Sequence, residues 1–292
     1  MRLHAAAAIA TFLPALALAQ PQPVSLEIHS EFQRVDPFGN IVAIDRSASP
    51  REILSPAVAR NAYASFHVVV SAPPGTNYFL YVVPNPLNAC GVEMYKEHFT
   101  RTTGGWIPDA LTQLHRLPDF GFIPDPLERV PGQTARAYLL DLWIPQDSPW
   151  DGFRLEVQLK IGTWIVRPME IRILRARVPD LRPLPKGPVK PLSPIEARAD
   201  APAQEVLEAY IAGGEAPATE GPLNLRAIVR RNAIQDMALA RSLDNGLAGP
   251  PVLKKMLDAL APDSGAEGYL HIRDLIHSRA TGVKPRPLAL GR

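Results

Sequence analysis

FRLEVQLKI, residues 153–161, is the stretch whose reading decides the fold. Phe153, Leu155, Val157, Leu159 and Ile161 fall on one phase, with Arg154, Glu156, Gln158 and Lys160 on the other. A period of two held over nine residues describes a strand with one face in a core and one in water, the pattern of an antiparallel sheet. The same texture extends in both directions. Downstream, across the turn IGTW, lies WIVRPMEIRILRA (164–176); upstream, across PQDSPWDG, lies RAYLLDLWI (136–144). Gly162 suits the tight hairpin, and the Pro-Asp-Ser-Pro cluster suits a wider turn.

Further upstream, YASFHVVVS (63–71), NYFLYVV (77–83) and GVEMYKEHF (91–99) are rich in β-branched and aromatic residues, and SLEIHSEF (25–32) and GNIVAIDR (39–46) add two more expected strands. About eight short strands without an amphipathic helix between them predict a mainly β chain, an antiparallel sandwich of immunoglobulin-like type. One connection is unusually long. Residues 99–136, which include GGWIPDALTQLHRLPDFGFIPDP, show little strand pattern and one helical turn at PDALTQL, and long connections are often binding or covering loops.

After residue 178 the texture changes. LRPLPKGPVKPLSP (181–194) can form neither a helix interior nor a central strand. Four helical patterns follow, APAQEVLEAYIAGG, GPLNLRAIVRRNAIQDMALARSLDNG, PPVLKKMLDALAP and GYLHIRDLIHSRA. Asp200 and Pro202 start the first, Gly213 stops it, and Ser264 with Glu267 forms a capping-box pattern ahead of the last. The chain therefore divides into a signal peptide (1–19), a β-sandwich (20–178), a Pro-rich linker (179–201), a small helical module (202–282) and a disordered tail (283–292). The leader reading rests on Arg2, an apolar run too short to span a bilayer and the tripeptide Ala17-Leu18-Ala19, with cleavage before Gln20. It predicts a periplasmic or secreted protein with no transmembrane segment in the mature chain.

Composition narrows the function. The net charge is +2, and neither half carries a dense basic stripe, so nucleic acid is not an expected partner. The one cysteine, Cys90, cannot pair within the chain, so the fold relies on its hydrophobic core, and Cys90 reads as a small buried hydrophobe. The chain contains no G-x-S-x-G, S-x-x-K, H-E-x-x-H, G-x-G-x-x-G, Walker, C-x-x-C or EF-hand motif. No cofactor and no metal is expected.

Three weaker groupings remain. Trp106, Asp109, His115, Asp119, Phe120, Phe122 and Asp125 mix stacking surfaces with carboxylates, as a carbohydrate site would require. The alternative lays Phe120 and Phe122 on the sandwich and uses the aspartates as turn initiators. His271 and His277, at i and i+6, do not share a helix face and cannot jointly hold an ion. Arg230, Arg231, Lys254, Lys255, Lys284, Arg286 and Arg292 read as solvated helix faces, with attachment to an acidic polymer or membrane surface as the alternative.

The run from Pro131 to Ile173 resembles a strand-turn-strand pattern of bacterial immunoglobulin-like modules found beside glycoside hydrolase domains. The matching features are Gly132-Gln133, a strand ending in Ile144-Pro145, and the turn from Asp147 through Pro149 to Gly152, with Trp150-Asp151 where a plain Ala-Gly turn is commoner. The resemblance implies a sandwich that supports rather than catalyses. The sequence thus predicts an exported, non-catalytic structural or interaction protein of the bacterial envelope, a β-sandwich with its helical module as an adaptor, partnered by another envelope protein or by itself. The alternative is a carbohydrate-binding or glycan-hydrolysing module acting through residues 99–136.

Overall fold

The computed structural model describes residues 23–45, 54–83, 89–180, 196–214, 223–243, 254–255 and 267–281. The expected leader, most of the proline segment, the last ten residues and the body of the third helical pattern lie outside these. Ten strands are described: β1 Ser25–Ser30, β2 Ala57–Arg60, β3 Ala62–Ser71, β4 Thr76–Val83, β5 Gly91–Thr102, β6 Gly105–Gln113, β7 Asp119–Ile123, β8 Ala135–Ile144, β9 Gly152–Ile161 and β10 Thr163–Arg177. They form two five-stranded sheets, in the orders β1-β3-β8-β5-β6 (sheet 1) and β2-β10-β9-β4-β7 (sheet 2). All pairings are antiparallel except β2 with β10. Three helices follow, α1 Ala201–Ile211, α2 Leu225–Ser242 and α3 Glu267–Thr281.

The core lies between the sheets, where the apolar phase of β9 meets Phe66, Val68 and Val70 of β3 and Leu140 and Leu142 of β8, all buried. Asn61 carries the chain from sheet 2 to sheet 1. Its φ of 57° makes the kink between β2 and β3, and its side-chain amide donates to the Val178 carbonyl at 2.9 Å. A left-handed turn of this kind suits Asn better than most residues.

Two expectations are corrected. GNIVAIDR forms a short 3₁₀ turn over Ala43–Asp45 and one isolated bridge from Ile41 to Val35, because Asp45 turns inward to a buried ion pair with Arg34 (Nε to Oδ2, 2.6 Å). The long connection is mostly strand. GWIPDALTQ is β6, at the edge of sheet 1, where Pro108 does not interrupt a central ladder and the pairing to β5 shifts register at His98/Phe99. DFGFI is β7, at the edge of sheet 2, and its Gly121 is required there because a Cβ would lie 2.1 Å from the Tyr78 ring.

The helices share one hydrophobic core with the sandwich. Val206, Leu207, Val229, Tyr269, Ile272 and Ile276 belong to the same buried cluster as Leu26, Phe32 and Val58. Helix α2 packs on the outer face of sheet 1 through an apolar cluster of Leu225 and Ile228 with Tyr95, Leu111 and Leu139, and through a polar one beside it. Arg231 binds Asp141 of β8 bidentately (2.8 and 2.7 Å), and its guanidinium lies 3.7 Å from the centre of the Tyr63 ring. Ser65 donates to Asp141 at 2.6 Å, and Gln235 pairs with both the N–H and the C=O of Tyr63 like a borrowed strand (2.7 and 3.1 Å). Arg231 is therefore a buried anchor and not part of a solvated basic face. Arg34 and Asp45 tie down the entry to α1 in the same way, through the Ala197 carbonyl and the Ala199 N–H (both 2.8 Å).

Candidate binding surface

With one face of sheet 1 beneath the helices, sheet 2 is the sheet whose outer face meets solvent, and pairing registers dictate what it displays. Phe120 of β7 pairs with Phe79 of β4, Phe79 with Lys160 of β9, and Lys160 with Trp164 of β10, so these four side chains form one row across four strands. The next row is Tyr81, Gln158 and Val166, while Asn77 with Phe122 flanks the other side. Phe120 is 70% exposed, Phe122 53% and Trp164 49%.

The row is knitted together. Phe79 meets Phe120 edge-to-face at a centroid distance of 5.0 Å and Trp164 at 5.9 Å, and the Lys160 ammonium sits 5.4 Å from the Trp164 ring centre. Such contacts contribute about 0.5–1.5 kcal/mol per pair and fix the rings before any ligand arrives. Fully burying one ring contributes roughly 2 kcal/mol. A sheet that leaves three large aromatic residues about half exposed or more gives up much of that stabilisation.

Of the seven residues singled out in the sequence, only Phe120 and Phe122 stand together on this face. Asp119 points to the other side of β7, where it accepts from the Tyr138 hydroxyl (2.8 Å) and meets Lys96 Nζ (3.3 Å). Asp125 accepts from the Leu127 N–H at 2.9 Å, as a turn-former does. Trp106 lies on edge strand β6 beside Phe99, Val130 and Ala137, with Arg101 6.0 Å from its ring centre, and His115 is exposed in the β6–β7 turn. Asp109 is buried at 3% exposure at the register shift of β6, with no hydrogen-bond partner for either oxygen. Burial raises its pKa to about 6, against the pull of Arg34 and Arg226. The carboxylates therefore do not converge on one reacting position.

Other charged groups have structural partners. Burial alone would raise the pKa of Glu128, but the bonds from His98 Nδ1 (2.7 Å) and the Phe99 N–H (3.0 Å) and the nearby Arg136 hold it at about 2. A groove of about 520 Å³ runs between β2, β3, α2 and α3. Within it Arg273 bridges Glu31 (2.8 Å) and Asp236 (2.7 Å), and Asp236 also accepts from the Tyr269 hydroxyl (2.7 Å). His277 faces the same groove, with Nε2 3.7 Å from Asp236 Oδ1. Burial raises the Cys90 thiol to about 11, which leaves it a poor nucleophile at neutral pH. Among the described residues there is no grouping of three or more His, Cys, Asp or Glu able to hold a metal ion, and no helix long and apolar enough to cross a membrane.

Phe79, Tyr81, Lys160 and Trp164 were missed as site residues, although a signal was present. In NYFLYVV both phases are apolar, which is unnecessary for a strand whose outer face is only wet.

No family model and no curated protein matches this sequence. Distant structural likenesses to β-sandwich modules exist. One is a family 123 glycoside hydrolase from Clostridium perfringens, 10% identical with a TM-score of 0.36, where the match covers 53% of this chain and only 28% of that enzyme. A second is the PapD-like domain 7 of human CEP192, 6% identical with a TM-score of 0.23, covering 57% of this chain and 100% of that domain. A third is the chitin-binding domain of a chitinase from Pyrococcus furiosus, 12% identical with a TM-score of 0.22, covering 52% of this chain and 100% of that domain.

Proposed function

We propose that this is an exported, non-catalytic binding protein whose working surface is the outer face of sheet 2. The observation that carries the reading is the row Phe120, Phe79, Lys160 and Trp164, in which two exposed aromatic rings and a cation are held on the sheet around the half-buried ring of Phe79. Large exposed apolar patches on a soluble fold mark interaction sites. The helices, which the sequence reading offered as an adaptor, are instead tied to sheet 1 by Arg231 and Arg34. They support the sandwich and leave its other face as the surface on offer.

The test is a panel of immobilised envelope material, glycans and the protein itself, probed with the wild type and with Phe120→Ala and Trp164→Ala. The reading expects both variants to stay folded, giving up only about 0.5–1.5 kcal/mol for each lost ring contact, and to lose what the wild type retains. Variants that unfold markedly earlier and retain the same material would overturn it.

A further inference from the structure

We infer that the ligand of this face is a β-1,4-linked polysaccharide, stacked through the C–H faces of its sugars on the exposed rings of Phe120 and Trp164, which Phe79 buttresses edge-to-face from between them, and hydrogen-bonded by Lys160 and Gln158. The inference rests on the outer face of sheet 2 being the binding surface. A pyranose ring is amphiphilic: its axial C–H bonds make an apolar face of slight positive polarity, and its hydroxyls project from the rim. An aromatic ring presents a negative face to such bonds. A sugar therefore needs exposed rings with hydrogen-bonding groups set between them, and the row supplies both, Lys160 standing between Phe79 and Trp164 and Gln158 between Tyr81 and Val166 in the next row. A β-1,4 linkage between equatorial positions keeps the chain extended and ribbon-like, so successive sugars can lie along a straight row on a sheet. An α-linked chain coils away from it.

The same residues disfavour other occupants. A lipid surface approaching this face would have to bury Arg154, Glu156 and Glu170, which stand on it a few residues further along β9 and β10. A second copy related by a two-fold axis through the row would place Lys160 against its own counterpart. Edge-to-face locking by Phe79 removes much of the rotamer freedom that stacking would otherwise have to fix.

The experiment is co-sedimentation of the full chain with microcrystalline cellulose and with chitin powder. Starch granules serve as the α-linked control, with vesicle flotation and sedimentation velocity run in parallel. Retention on cellulose or chitin but not on starch is expected. Trp164→Ala and Phe120→Ala should each bind about tenfold more weakly or worse, as aromatic anchors do. Trp164→Phe should keep most of the binding, and every variant should unfold in one cooperative transition and be fully folded under the binding conditions. No retention on either β-linked polymer, or retention that both alanine variants preserve, overturns the inference. If the polymers fail but self-association or vesicle binding disappears in the two alanine variants, the glycan is wrong and the surface assignment stands. If nothing depends on these rings, both fall together.

Discussion

Asp109 offers the sharpest test of the buried electrostatics. In the unfolded chain its carboxyl loses its proton near 3.8, whereas beneath α2 and the entry to α1 it keeps the proton to about 6. Between those values the folded state binds more protons, so stability falls as pH rises and is flat above about 6.5. At 1.36 kcal/mol for each tenfold change in proton affinity, the ionised form costs about 3 kcal/mol at neutral pH, a large part of the 5–15 kcal/mol that holds a typical fold. Asp109→Asn keeps the shape and removes the ionisation. The buried amide brings its own desolvation cost, but that offset does not vary with pH, so the shape of the difference curve is the test. Guanidinium unfolding of the wild type and Asp109→Asn from pH 4 to 8 should give stabilities that diverge progressively by about 3 kcal/mol in favour of the variant and then run parallel. His67, whose pKa is raised against the burial that would lower it by its contact with buried Glu97, also loses stabilisation with rising pH. It does so in both proteins and cancels in the difference. Curves that stay parallel throughout would show that Asp109 is solvated or paired in solution and refute the reasoning.

Arg231→Ala should cost about 3–5 kcal/mol in denaturant unfolding, because it leaves Asp141 charged at 2% exposure; Arg231→Met with Asp141→Leu should cost much less. Gly121→Ala should lower stability by about 2–3 kcal/mol, since the new methyl displaces the Tyr78 ring and strains the 2.5 Å bond between the Tyr78 and Tyr138 hydroxyls. Burial alone would raise the pKa of Asp236, yet Arg273, His277 and Tyr269 bring it down to about 2. Its contribution is complete above about pH 4 and lost as pH falls towards 2. Acid unfolding should therefore show a loss of about 2 kcal/mol in that window that Asp236→Asn does not show.

The strands were legible where alternation was clean. FRLEVQLKI, RAYLLDLWI and WIVRPMEIRILRA fall within one residue of β9, β8 and β10 at each end. The edges were not. GGWIPDALTQL carries Pro108 and helix-favouring Ala, Leu and Gln, and only pairing with β5 makes it a strand. Residues 57–60 become β2 because β10 is long enough to offer an extra edge, a fact about another part of the chain.

The site was half-legible for a reason that follows from the architecture. Alternation separates the two phases of a strand but does not say which sheet's polar phase will be covered. In sheet 1 the phase carrying Ser65, His67, Glu97, Asp109 and Asp141 is buried beneath the helices and the segments around Arg34, so residues that look like surface chemistry become internal ion pairs and a buried carboxyl without a hydrogen-bond partner. In sheet 2 the corresponding phase carries Phe120, Phe122 and Trp164, which stay in solvent, and the half-buried Phe79 between Phe120 and Trp164. The usual assignment of polar outside and aromatic inside is thus reversed on both outer faces. A protein whose sandwich served only as a support would have no reason to expose those rings, and placing them on the sheet the helices leave free makes that face the one to be probed with glycans.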